Sequence, residues 1–375
     1  MATEVLPDER TLRSGRRQRA LAQMAAHDLD VLVLGRQANV RYVTGAPQLW
    51  VAGTRPFGPT CVLMRETGAV HLLSTWDEGV PEDIPHENLY GISWNPMNTM
   101  AALQRIDGAA TARRVGTDAL SPVFAQLLPT AFPNAQLVDG ELAMRAARRI
   151  KTDEEIAALR ESVAVAESAL AAAVSELRPG VTEQALAGVL LEASAAGGVS
   201  TPSNQDVAWV TSRKHPWRRA HGDGRIQDGD LVAFSAGVLA GGYVGEVGRT
   251  WPADNRRAPS GAAALHARWD RLWDRLIAAC RPGTRADEML AAYQAAGEPE
   301  PPMPVARGLG MGFDPPVVSK HLPTTAAEER LERGMVLAVT GYVWEEGVGA
   351  VFGRQAVLIT ADGAEVLTAS PFWQP

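Results

Sequence analysis

Arg149-Ile150-Lys151-Thr152-Asp153-Glu154-Glu155 carries the sharpest local signal in the chain. Thr152 can accept from the amide three residues on while Glu155 reaches back to the Thr152 amide, the reciprocal pattern of a capping box. Ile156, Leu159, Val163, Ala166 and Leu170 then recur at helical spacing and give one apolar stripe. This helix ends before Arg178-Pro179-Gly180. Thr182 caps a second helix, from Glu183 to about Ala196, which Gly197-Gly198 stops. A domain boundary just ahead of the capping box divides the chain into residues 1–148 and 149–375.

Upstream, short apolar stretches alternate with helix-like ones. Residues 11–27 are rich in Arg and Ala and read as a helix. Leu29–Gly35 reads as a buried strand closed by glycine, and Arg41–Gly45 as a second extended piece. Residues 60–76 read as two strands around the turn Glu66-Thr67-Gly68. Arg114-Val115-Gly116 is strand-like and precedes a helical stretch at Val123–Leu128. Strands alternating with helices predict an α/β domain. Downstream, Gly229-Asp230 introduces a strand over Leu231–Ser235. A turn at Gly241-Gly242 leads into a second strand ending at Arg249-Thr250-Trp251. Residues 262–295 read as helical, broken at Pro282-Gly283 with Thr284 as a cap. Residues 300–325 are rich in Pro and Gly and read as loop. Val336–Val339, Ala350–Ile359 and Glu365–Thr368 read as strands. The fold class expected is α/β with an α+β C-terminal part.

The chain has 375 residues, 46% hydrophobic and 21% charged, a composition of globular domains. At this length a chain buries most of its unfolded surface and needs no disulfide or metal for stability. The net charge of -7 argues against a nucleic-acid partner. No run of 18 apolar residues is present, so no membrane span is expected. The first twenty residues lack an apolar signal region, and Cys61 and Cys280 are too few for a disulfide framework. Both features point to the cytoplasm.

The order of motifs resembles the creatinase, prolidase and aminopeptidase P superfamily. Those motifs are Arg149-Ile150-Lys151-Thr152 with Glu155, then Arg178-Pro179-Gly180-Val181-Thr182-Glu183, then Gly229-Asp230-Leu231-Val232. Gly242-Tyr243 through Arg249-Thr250, Gly308-Leu309-Gly310-Met311 and Arg333-Gly334-Met335-Val336 complete the set. The resemblance covers essentially the whole chain. Pro216-Trp217 ahead of the Gly-Asp strand also resembles the dimethylsulfoniopropionate-lyase branch. The resemblance implies a creatinase-like N-terminal α/β domain and a C-terminal pita-bread domain, a curved antiparallel sheet backed by helices. It also implies a homodimer in which one chain's N-terminal domain caps its partner's site.

Peptidases of this superfamily hold two metal ions with two Asp, one His and two Glu. Carried over position by position, those ligands fall here on Ser235, Glu246, Arg307, Thr340 and Arg354. With ionised acids and a neutral imidazole, formal charge at the five positions changes from about -4 to about +1. Arginine is neither a metal ligand nor able to lose its proton, so no metal and no cofactor is expected. Guanidinium groups in a concave site suit a small anionic or zwitterionic metabolite. Arg218 and Arg219, in the loop before the Gly-Asp strand, are expected to join Arg307 and Arg354 in holding it, with Glu246 as an internal counter-ion or catalytic carboxylate.

Creatinase works without metal, with a histidine as acid and base. The resemblance offers His215 and His221 for that role, and the pKa of imidazole suits proton transfer near neutrality. Tyr243, Tyr342 and Trp217 are candidate pocket walls, as are Thr340 and Ser235. Trp50, Arg55 and Phe57 form a candidate loop reaching a partner's pocket. His321 is a weaker candidate, and the seventh position past Arg307, where a peptidase keeps a substrate-binding His, is Asp314. The expected activity is metal-independent cleavage or rearrangement of a C–N or other C–heteroatom bond. The alternatives are a non-catalytic binding protein of the same fold and a residual Xaa-Pro metallopeptidase.

Overall fold

The computed structural model describes residues 8–46, 58–74, 79–91, 93, 95–118, 120–199, 203, 208–220, 224–254, 258–322 and 328–374. Two compact units, Met1–Arg148 and Arg149–Pro375, make up the chain.

The first unit runs α1 (Glu9–Ala26), β1 (Val31–Leu34), α2 (Gln37–Thr44), β2 (Cys61–Met64), β3 (Val70–Leu73), β4 (Leu89–Tyr90), α3 (Pro96–Gln104), β5 (Arg114–Thr117), α4 (Pro122–Ala131), β6 (Gln136–Asp139) and α5 (Glu141–Arg149). Its six-stranded sheet has the order β4-β3-β2-β1-β5-β6. β1 pairs antiparallel with β2 and parallel with β5, so this is a mixed sheet. The piece expected to be extended at Arg41–Gly45 is the end of helix α2. Gly45, at φ 71°, takes the left-handed conformation that closes the helix, and its N–H bonds the Arg41 carbonyl. The glycine marks a helix stop, not a strand end.

The second unit runs α6 (Asp153–Ser175), α7 (Glu183–Ala196), β7 (Ala208–Val210), β8 (Leu231–Ala240), β9 (Tyr243–Pro252), α8 (Ala262–Ala279), α9 (Glu288–Ala296), β10 (Ala306–Leu309), β11 (Phe313–Val318), β12 (Val336–Glu345), β13 (Gly349–Ile359) and β14 (Ala364–Val366). The capping box forms as read: Glu155 N–H donates to Thr152 Oγ1 at 3.2 Å and Thr152 N–H to Glu155 Oε2 at 3.0 Å. Seven strands run β11-β10-β12-β13-β9-β8-β7 and β14 joins at β13, every pair antiparallel. Helices α6 and α7 bury Leu170, Leu186 and Leu190 with Phe234 and Val247 of β8 and β9. Helices α8 and α9 bury Trp269, Leu272 and Tyr293 with Val339, Val343 and Val351 of β12 and β13.

Two expectations fail in this unit. Residues 300–325 are not all loop but include β10 and β11. β11 contains Pro315 and Pro316 and lies at the sheet edge, where a residue without an N–H removes no ladder bond. Thr284 does not cap α9, whose N-cap position is Asp287.

Candidate functional site

β-register places the five mapped positions. Thr340 on β12 faces Arg354 on β13, Arg354 faces Gly248 on β9, and Gly248 faces Ser235 on β8. Glu246 lies two residues from Gly248 and so projects to the same face. Arg307 on β10 pairs with Ala338, two residues from Thr340, and shares that face as well. Gly248 is what lets Arg354 cross the row. A Cβ there would come within 2.4 Å of the Phe352 ring and 2.9 Å of Arg354 Cβ.

The structure gathers all five side chains. Arg307 Nη2 donates to Glu246 Oε1, and Arg354 Nη1 donates to Glu246 Oε2 at 3.3 Å. Arg354 also donates through Nε to Thr340 Oγ1 at 3.1 Å and through Nη1 to Ser235 Oγ at 3.4 Å. The Glu246 side chain is only 2% exposed, so its charge is met by the two guanidinium groups and not by water. Burial pulls the Arg354 pKa below the usual guanidinium range. Glu246 opposes that shift and the like charge of Arg307 adds to it.

These residues do not fit a pair of divalent ions. The one carboxylate has both oxygens committed to guanidinium donors, and the positions flanking it carry positive charge. Among the described residues, no three His, Cys, Asp or Glu side chains converge on a point that could hold a metal ion. At the position seven past Arg307, Asp314 is fully buried and paired with Lys151 Nζ at 3.2 Å, a structural tie from β11 to the segment before α6.

A cavity of about 450 Å³ opens on this face, lined by Ser203, Trp209, Trp217, Arg218, Arg219, Ser235, Met303, Tyr342, Phe352 and Arg354. Strand alternation supplies much of the wall. Tyr342 and Phe352 are two residues from Thr340 and Arg354, and directly face each other across β12 and β13. The segment carrying Trp217, Arg218 and Arg219 is pinned to the sheet. Trp344 Nε1 donates to the Ser212 carbonyl at 2.7 Å, Ser212 N–H to the Arg218 carbonyl at 3.1 Å and Ala220 N–H to the Val210 carbonyl at 2.9 Å. Trp217 has φ 62°, a costly conformation for a residue with a Cβ. There its N–H donates to Tyr342 Oη at 2.9 Å, and its ring lies against that of Tyr342, tilted by 30° with centroids 3.9 Å apart. Burial pushes the Tyr342 hydroxyl up to about 12, with the Trp217 amide opposing it.

The other candidates fall elsewhere. Tyr243 is fully buried and its hydroxyl donates to Glu155 Oε1 at 3.1 Å. It braces the capping box from β9 and lines no part of the cavity, because its side chain meets α6. His215 is exposed and is not among the lining residues. Its N–H bonds Ser212 Oγ, which holds the loop. His321 is exposed too. His221, Trp50, Arg55 and Phe57 lie outside the described residues. Sequence reasoning missed Trp209, Phe352, Met303 and Ser203. Phe352 was recoverable from its two-residue offset to Arg354, whereas Trp209 sits in no motif.

Comparison with known proteins identifies the family and the fold. The model of metallopeptidase family M24 matches residues 157–361, and that of the creatinase/prolidase N-terminal domain matches residues 16–150. An uncharacterized hydrolase/peptidase of Sinorhizobium fredii is 26% identical, over 93% of this chain and 92% of that one. A creatinase of a Bacillus species is 23% identical, over 95% of this chain and 90% of that one. Among solved structures, the X-Pro aminopeptidase of Thermotoga maritima superposes with a TM-score of 0.77 at 14% identity, covering 94% of this chain and 99% of that one. The prolidase of Pyrococcus horikoshii gives 0.74 at 19% identity, covering 95% and 99%. The fold they share with this chain is the pita-bread architecture.

Proposed function

Because the chain belongs to metallopeptidase family M24, with a creatinase/prolidase N-terminal domain ahead of it, we propose that it is a hydrolase that has exchanged the family's paired metal ions for a guanidinium site. It cleaves or rearranges a C–N or other C–heteroatom bond in a small anionic or zwitterionic metabolite, as its creatinase relative's name suggests for a C–N bond. The observation that carries this reading is the salt bridge of Glu246 to both Arg307 and Arg354, which puts fixed positive charge beside the cavity. Fixed cations in a partly desolvated pocket stabilise negative charge that develops in a transition state, and they need no reorganisation at the moment of reaction.

Arg354, Arg218 and Arg219 are assigned to the substrate anion, with Ser235, Thr340, Trp217 and Tyr342 shaping the pocket. Both oxygens of Glu246 accept from guanidinium groups, so its role is to position Arg354. Proton transfer is assigned to His221, one residue past the backbone tie at Ala220, with His215 as the alternate. Activity is expected from a homodimer.

The test is turnover of a panel of amide- and amidine-bearing anions by purified protein, with and without EDTA, alongside elemental analysis. Turnover that survives chelation and is lost in His221→Ala sustains the reading. Loss of turnover on chelation, with Mn, Co or Zn present near one or two per chain, replaces it with an Xaa-Pro metallopeptidase. One observation favours a second reading, that of a binding protein: among the described residues no histidine lines the cavity. Ligand-induced thermal stabilisation without product, unchanged in His221→Ala, would establish that reading instead.

A further inference from the structure

Two residues of β12 that serve the cavity are held from behind the sheet. Thr340 accepts from Arg354 Nε at 3.1 Å, and Tyr342 receives the Trp217 amide at 2.9 Å and lies against the Trp217 ring. Alternation puts both side chains on the cavity face and turns Gly341 to the opposite one. There helix α8 comes close. A Cβ on Gly341 would fall 2.7 Å from Trp269 Nε1, and one on Gly353, which faces it across β13, would collide with the same indole.

The pairing of β12 with β10 ends at this level, with Val339 opposite Ala306 and Thr340 N–H reaching the Val305 carbonyl at 2.7 Å. Further along that edge, one phenol does what a neighbouring strand would. Tyr293 of α9 donates to the Thr340 carbonyl at 3.0 Å and accepts from Tyr342 N–H at 3.0 Å. A backbone donor and acceptor shut away from water need partners, and this one oxygen supplies both. Tyr293 is fully buried. Burial pushes its hydroxyl above the usual phenol range, against the opposing pull of the Tyr342 amide, so it keeps the proton that Thr340 receives. The bridge thus grips the backbone of the residue that steadies Arg354 and of the residue that holds Trp217 at φ 62°.

We propose that Tyr293 is a positioning residue for the cavity: its hydroxyl fixes the backbone from Thr340 to Tyr342, and through it both the Arg354 guanidinium and the Trp217 wall. The inference rests on reading this cavity as the anion site. Tyr293 is not among the lining residues and acts on a ligand through β12.

Hydrogen exchange of the full chain, followed by mass spectrometry, tests this without a ligand. Tyr293→Phe keeps the buried ring and removes the bridging oxygen. Exchange is expected to quicken about tenfold in the peptide that holds Tyr342 and in the one spanning 212–220, with β8 unchanged. The second peptide is remote in sequence and is tied to β12 through Tyr342 and Trp344. Tyr342→Phe spares the bridge and removes the acceptor of the Trp217 amide, so it should quicken 212–220 alone. Calorimetric titration with benzoate then reads the site: Tyr293→Phe is expected to bind it about threefold to tenfold more weakly than the native chain. Unchanged exchange at 212–220 in Tyr293→Phe overturns the inference. A uniform rise that includes β8, or a variant that fails to fold, overturns it as well, since the hydroxyl would then serve the whole unit. Native affinity for benzoate in Tyr293→Phe removes the positioning role and leaves the anion site standing. Selective quickening in a protein whose native form binds no benzoate keeps the hold of Tyr293 on Trp217 and removes the anion site.

Discussion

Replacing Glu246 by Gln keeps its shape and one acceptor oxygen but removes the carboxylate charge that Arg307 and Arg354 share. In the native chain Arg307 bonds one carboxylate oxygen and Arg354 the other at 3.3 Å. Two unit charges about 4 Å apart interact by roughly 4 kcal/mol at an effective dielectric near 20. The Arg307 and Arg354 side chains are 12% and 17% exposed, so solvent screens part of the repulsion they are left with. Removing one partner of a buried pair usually costs about 3–5 kcal/mol, and the low end fits this exposure. For a unit of this size, about 3 kcal/mol lowers Tm by roughly 6–12 °C. Scanning calorimetry of the purified variant measures it. Because the missing group is an anion, millimolar benzoate should raise Tm more in Glu246→Gln than in the native protein. A shift below about 2 °C would refute the electrostatic argument. So would a shift present without EDTA and absent with it, since the carboxylate would then be serving a metal.

His266 is buried beside the Trp373 ring, and burial alone pulls its pKa down to about 4. The unfolded chain takes up a proton near pH 6.5 that the folded chain refuses, so stability is flat above that pH. It then falls by up to about 3 kcal/mol as pH drops toward 4. His266→Phe should flatten Tm against pH across that window, and an unchanged slope would show that another group is responsible. Lys151→Met removes the ammonium group paired with fully buried Asp314 and should cost about 3–5 kcal/mol, with Lys151→Met/Asp314→Leu recovering much of it in thermal melts. Burial raises both thiols, Cys280 to about 12 and Cys61 further. A disulfide reagent should therefore label neither in the folded chain and both after unfolding, and rapid labelling of either would contradict its burial.

The sequence made the second unit legible where chemistry is local. Thr152 and Glu155 announce the first helix through two hydrogen bonds that need no tertiary partner, and both bonds form. Gly-Asp at 229–230 and the glycines at 241–242 delimit β8 and β9 because turns demand particular backbone angles. Where identity depends on position in the sheet, composition misleads. Pro315 and Pro316 argue against a strand in general but not at an edge. Gly45 suits a strand end and a helix stop equally, and only its left-handed backbone decides. Tyr243 was expected at the pocket because it lies near a mapped position, but alternation turns it to the opposite face, against Glu155.

The five positions that the resemblance maps onto metal ligands bear on whether the cavity has decayed or been rebuilt. Losing metal ligands one at a time to drift would leave buried polar groups without partners, because each loss removes a charge its neighbours were arranged around. Here the five side chains answer one another. Glu246 receives both guanidinium groups, Thr340 accepts from Arg354 Nε, and Ser235 accepts from the Arg354 Nη1 that also reaches Glu246. Among the described residues, no buried side-chain atom left without a hydrogen bond belongs to this cluster, although several occur elsewhere in the chain. A self-consistent set of five, drawn from five separate strands beside an aromatic cavity, is what the proposed anion site requires. Burial lowers the Arg354 pKa and the like charge of Arg307 adds to that shift, while Glu246, 3.3 Å from Arg354 Nη1, opposes it.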